Sequence, residues 1–191
     1  MNTQQSYINA AAYSGLAFAL IIWLITTVGG YATIGQEPTG SLFGLTTIAA
    51  AVSCLVGAFA GLFGARMYAK EVDSPVKLGT GAMLGLVSGF VIAFVSMMLS
   101  IIWHFIIDTS FTDNLMEATI ANIEMMDMLP VEAREDMIDG IYTQFQHQYT
   151  LGGILSSLGL SALIYGALNA ITGTLGIKFF AEQPTESLDD V

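Results

Sequence analysis

Few residues in this 191-residue chain are equipped for chemistry, and they fall into two groups. His104 and Asp108 lie four positions apart, so on a helix they share a face, and His147 follows in the next polar stretch. Two imidazoles and a carboxylate form a donor set that could hold a divalent metal. No HExxH or second ligand motif accompanies them, and a lone His at the edge of an apolar run more often bonds a neighbour. These three are second-rank metal candidates, and the expectation is no metal and no cofactor. The second group is Ser157, Ser161, Tyr165, Asn169 and Thr172, which run along one apolar stretch near the C-terminus. Such a stripe either lines a path for a small solute or bonds a neighbouring helix. No ionisable group of the kind that proton relays and coupled transport use shares its depth, so bonding to another helix is expected. GxSxG, SxxK, GxxxxGK[ST] and HExxH are all absent, and Cys54 stands alone, so an enzyme is not expected.

What must position these residues is a set of four apolar stretches, residues 10–31, 42–65, 79–107 and 151–177, each free of Lys, Arg, Asp and Glu. Each reaches the ~20 residues needed to cross a hydrocarbon core about 30 Å thick. The chain is 54% hydrophobic and only 11% charged, where a soluble domain carries about a quarter charged residues. Backbone groups in lipid must be satisfied within their own segment, so these stretches are helices. The expected fold class is all-α: a single polytopic membrane domain over 1–191, with four transmembrane helices and an extracytoplasmic helical hairpin between helices 3 and 4.

Orientation follows from the basic residues. Arg66, Lys70 and Lys77 fall in the link between the second and third spans, Lys178 follows the fourth, and only Arg134 lies elsewhere. Basic residues concentrate on the cytoplasmic side, which places both termini inside and the acidic 108–150 segment outside. Met1–Ala10 holds no Lys or Arg, and the apolar run after it exceeds a signal-peptide core, so an uncleaved first span is expected. The net charge of −11 comes from the outer segment and the acidic tail at 178–191. It excludes the basic face that nucleic acid requires.

The spans are rich in small residues at four-residue spacing. Gly57 and Gly61 mark the second, Gly81, Gly85 and Gly89 the third, and Ser157, Ser161, Asn169 and Gly173 the fourth. Such stripes let helix backbones approach closely, which drives association where apolar burial cannot. In the outer segment, Phe111, Leu115, Ile120, Ile123 and Met126 have helical spacing, and Pro130 ends that helix by lacking a donor. A second helix begins at Val131, with Met137, Ile141, Phe145 and Tyr149 as its apolar stripe.

The basic link FGARMYAKEVDSPVKLGTGAMLG, the end of the long third span, WHFIIDTSF, and the acidic insert LMEATIANIEMMDMLPVEAREDM occur in that order, before a Gly/Ser-rich last span. In this layout the chain resembles a bacterial inner-membrane family common in Bacteroidota, domain-of-unknown-function family 4199. Unlike many such proteins it ends in ESLDDV rather than a basic tail. The resemblance implies a fold and a membrane and supplies no catalytic residues. The expected role is non-enzymatic: a structural or accessory subunit that packs in a membrane assembly or with its own copies, its partners being the lipid bilayer and other membrane proteins. The alternative is a small-solute transporter or channel using the polar stripe of helix 4.

Overall fold

The computed structural model describes residues 3–41, 43–72 and 75–181; Leu42 and the acidic tail beyond Ala181 lie outside the described residues. Seven α-helices follow one another: α1 Thr3–Ile34, α2 Leu45–Gly57, α3 Phe59–Glu71, α4 Leu78–Ile102, α5 Phe111–Glu124, α6 Val131–His147 and α7 Leu151–Phe180. A π-helical turn, Trp103–Ile107, prolongs α4, and no strand occurs among the described residues. Among the described residues, four helical stretches are long and apolar enough to cross a membrane: Gln4–Ile34, Leu45–Glu71 (α2 followed by α3), Leu78–Ile107 and Leu151–Phe180.

Each of these stretches runs past the apolar limits in the sequence at one end or both, the third by Leu78 alone. α1 starts seven residues before position 10, because Gln4, Gln5 and Ser6 are compatible with a helix once it leaves the apolar zone. α3 carries Arg66 and Lys70 on its last turns, so the link proper begins only at Val72. Lys70 lies where the helix dipole favours a cation, and the Arg66 guanidinium stands 5.6 Å over the Phe180 ring.

The polarity of the interior reverses that of a water-soluble bundle. Ala10, Ala11, Ala60, Ala65, Ser14 and Ser88 are buried, whereas Leu55, Phe63, Phe90, Leu163 and Phe179 are exposed. Small residues inside and large apolar ones outside suit a solvent of acyl chains, in which helices gain by close packing and lose nothing by exposing Leu or Phe.

The chain divides into two compact units. The first comprises the described parts of Met1–Leu20, Cys54–Val95 and Leu160–Val191. Here α4 lies against α7 through glycines: a Cβ at Gly85 would overlap the Asn169 carbonyl, one at Gly81 the Gly173 carbonyl, and one at Gly89 would come within 2.5 Å of Tyr165. Gly61 of α3 meets the same Asn169 carbonyl. On the α1 side, the Ser14 and Ser88 hydroxyls pair at 2.9 Å, and a Cβ at Gly64 would lie 2.7 Å from Ser14 Oγ.

The second unit comprises Ile21–Ser53 and Ser96–Gly159. α5 and α6 pack on each other as a hairpin, with Pro130 immediately ahead of α6 and the Arg134 guanidinium donating to the Glu124 carbonyl at 2.9 Å. Asn122 fastens the link after α1 to this hairpin. Its Oδ1 accepts the Thr39 and Gly40 N–H groups at 3.0 Å each, and its Nδ2 donates to the Ser41 carbonyl at 2.9 Å. Gly40 has φ +67°, and a Cβ there would run into the Met125 carbonyl, so no other residue fits without strain.

Candidate functional site

The polar stripe of the last span is engaged within the first unit, around a break in the second span. α2 ends at Gly57 and α3 starts at Phe59, and Ala58 between them supplies no side-chain cap. A helix start leaves N–H groups without intrahelical partners, which is costly where no water can replace them. Asn169, fully buried, accepts the Gly61 N–H on Oδ1 at 2.5 Å and donates from Nδ2 to the Tyr165 carbonyl at 2.8 Å. One turn on, the Thr172 hydroxyl donates to the Ala58 carbonyl at 2.6 Å. Asn169 thus caps α3 as an N-cap asparagine would, but from another helix. Ser157 is exposed and Ser161 half-buried, so the stripe does not pack along its whole length. Gly57, Gly61, Gly81, Gly85, Gly89 and Gly173 are buried with Asn169.

His104, Asp108 and His147 do not converge. The π turn at Trp103–Ile107 ends the helix, and Asp108 leaves it in an extended conformation, which removes the shared face that a four-residue spacing implied. Asp108 instead accepts the Tyr31 hydroxyl at 2.5 Å and the Ser110 hydroxyl at 2.8 Å. These bonds, Tyr31's foremost, hold its carboxyl below the usual carboxylate range. His104 pairs through Nδ1 with the Thr112 hydroxyl at 2.9 Å and stacks on Tyr149, centroids 3.9 Å apart and planes 4° from parallel. His147 is exposed at the end of α6. Among the described residues, no group of three His, Cys, Asp or Glu side chains is placed to hold a metal ion.

The second unit carries several pockets, two of which share a wall residue. One, of about 220 Å³, lies between the link after α1 and the hairpin, with Thr33, Glu37, Thr46, Asn122 and Met137 in its wall. The other, of about 210 Å³, is lined by Trp23, Thr26, Thr46, Trp103, Phe111 and Tyr149, with Thr27, Ser100 and Leu115 completing it. Thr46 belongs to both walls, and its hydroxyl lies 2.7 Å from that of Thr33. Ring contacts fix the aromatic wall: Trp23 meets Trp103 edge-on at 5.2 Å, and Tyr31 braces both Trp103 and Phe111. Sequence reasoning did not group these residues because the aromatic cavity alone draws on five separate segments, at 23–27, 46, 100–103, 111–115 and 149. The available signal was that the only two tryptophans and a Thr26–Thr27 pair fall in or beside apolar spans.

The model of one protein family, described as "Protein of unknown function (DUF4199)", matches residues 13–180. The chain belongs to that family. The match takes in all four apolar helices apart from the first turns of α1, and the hairpin as well. No curated protein and no solved structure matches the chain. Four apolar helices and this membership make it a multi-pass membrane protein of a family without an assigned activity.

Proposed function

We propose that the protein is a non-enzymatic scaffold of the bacterial cytoplasmic membrane, packing through its last span against other membrane helices, in the first place those of a second copy. The observation that carries this reading is the openness of the start of α7. Gly152, Ser156 and Gly159 share one helix face and are exposed, and a Cβ at either glycine would meet nothing within 4 Å. In the most apolar part of each span, 33% and 39% of the residues are buried for the first two, against 11% and 6% for the third and fourth. Small residues at such an open face suit the close approach of another helix. Asn169 and Thr172 are committed to the α3 cap, which weighs against a solute path along that stripe.

In this reading both termini and the Arg66–Lys77 region face the cytoplasm, and the acidic hairpin faces outward, as the distribution of basic residues favours. Disulfide trapping in native vesicles tests the scaffold. With Cys54 replaced by Ser, a cysteine at Ser156 should give an oxidised species of twice the monomer mass, while one at lipid-facing Phe90 should not. A Ser156→Cys chain that stays monomeric under oxidation, in vesicles and in detergent, would remove the proposal.

A further inference from the structure

The cavity lined by Trp23 and Trp103 has a chemical bias that follows from where its hydroxyl protons go. A hydroxyl has one hydrogen to donate and two lone pairs to offer. Thr26 spends its hydrogen on the carbonyls of Ile22 and Trp23, at 3.1 and 3.0 Å, and Ser100 spends its own on the Ser96 carbonyl at 3.0 Å. Thr33 donates to the Gly29 carbonyl at 2.9 Å, so in the 2.7 Å Thr33–Thr46 contact Thr46 must be the donor. Thr26, Thr46 and Ser100 therefore offer lone pairs, and no protons, to whatever enters. The rest of the wall is mainly aromatic: Trp23, Trp103, Phe111 and Tyr149. Among the described residues no Lys, Arg or His lines either cavity, and the one between the link and the hairpin carries the Glu37 carboxylate. Acceptor oxygens and aromatic rings without a competing cation attract positive charge, although Trp103 of the same wall also carries a buried Nε1–H donor that has no hydrogen-bond partner.

We propose that this cavity binds a small organic ammonium ion, with its charged group among the aromatic rings and hydroxyl lone pairs and its apolar body against Phe111 and Leu115. Size agrees: a dry cavity of roughly 150 Å³ takes up benzene, so about 210 Å³ accommodates one ring with a short aminoalkyl arm. The inference goes beyond the scaffold reading and does not depend on it.

The chain's two tryptophans both line the cavity, so intrinsic fluorescence reports its occupancy. The full-length protein in detergent is titrated near neutral pH with 2-phenylethylamine, a cation, and with 2-phenylethanol, its uncharged counterpart. The expected result is a saturable change with the amine and binding of the alcohol weaker by on the order of tenfold, the loss of one desolvated cation–π contact. Tyr149→Leu and Thr26→Val keep both reporters and should each weaken the amine alone. Should Tyr149→Leu fail to fold, Thr26→Val carries the test, since that exposed hydroxyl bonds only its own helix. A non-saturating response, an alcohol that binds as tightly as the amine, or variants that titrate like wild type would overturn the proposal. A free amine and an aminolipid headgroup both carry such an ammonium, and nanodiscs separate these sources. Phosphatidylethanolamine that competes with the added amine, relative to phosphatidylglycerol alone, assigns the site to the lipid; an unshifted curve assigns it to the free amine.

Discussion

Asn169→Ala is the most informative substitution in the first unit. The side chain is fully buried and holds the Gly61 N–H at 2.5 Å, where α3 starts without a cap of its own. Alanine fits the space, so no overlap obscures the result. It leaves the Gly61 N–H without a partner, at about 1–3 kcal/mol for a buried donor. Hydrogen bonds between membrane helices measure about 0.6 kcal/mol on average and at most about 1.7, because the separated helices find other partners. A backbone donor at a helix start in lipid has few such alternatives, so we expect a loss of about 1.5–3 kcal/mol. Thr172→Val, which removes the donor to the Ala58 carbonyl, should cost about 0.5–1.5 kcal/mol. Because both act on one break, the double variant should lose less than the sum of the two. Reversible unfolding in mixed micelles, followed by helix circular dichroism, measures all three. Ser157→Ala, at an exposed position of the same helix, serves as the reference and should stay within about 0.5 kcal/mol. If Asn169→Ala is as mild as Ser157→Ala, the cap is not what holds the second span.

Glycine substitutions should diverge in sign. Gly85→Ala forces a Cβ onto the Asn169 carbonyl and should destabilise by about 1–3 kcal/mol in the same assay. Gly140→Ala, inside α6 with nothing within 4 Å, should stabilise the hairpin by up to about 1 kcal/mol. For Asp108, the folded carboxyl titrates below its usual value through the Tyr31 and Ser110 bonds. Its contribution is therefore complete above about pH 4 and is lost as pH falls through the lowered folded value. Asp108→Asn should lower the melting temperature near neutral pH and flatten its fall in acid; equal acid slopes for the two proteins would contradict this. Asn122→Ala should release the link after α1, read as faster amide exchange at Thr39 and Gly40 with α7 unchanged.

The four spans were legible in the sequence because each rests on an uninterrupted apolar run. The hairpin was legible too, but not for the reason expected: α5 has already ended at Glu124, and Pro130 stands at the start of α6 rather than ending the helix before it. The break at Ala58 was not legible. Nothing in CLVGAFAG differs from a continuous membrane helix, and the residues that stabilise the break lie more than a hundred positions away. The π turn that carries His104 likewise has no Pro or Gly to announce it. Treating that stretch as a regular helix is what grouped His104 with Asp108. The polar stripe of the last span was legible as a bonding surface, and Asn169 and Thr172 act so. Ser157, at the same spacing, does not, because its part of the helix is uncovered. The aromatic cavity in the second unit depends on tertiary proximity among five segments, which periodicity does not encode.

The helices are expected to cross a bilayer with the acidic hairpin and the basic Arg66–Lys77 region on opposite faces. Single cysteines in a Cys54→Ser background, at exposed Glu135 of α6 and exposed Lys70 of α3, test it most directly. A membrane-impermeant maleimide is added to spheroplasts, before and after lysis. Glu135→Cys should be labelled in intact spheroplasts and Lys70→Cys only after lysis. The reverse pattern, or labelling of both positions before lysis, would contradict it.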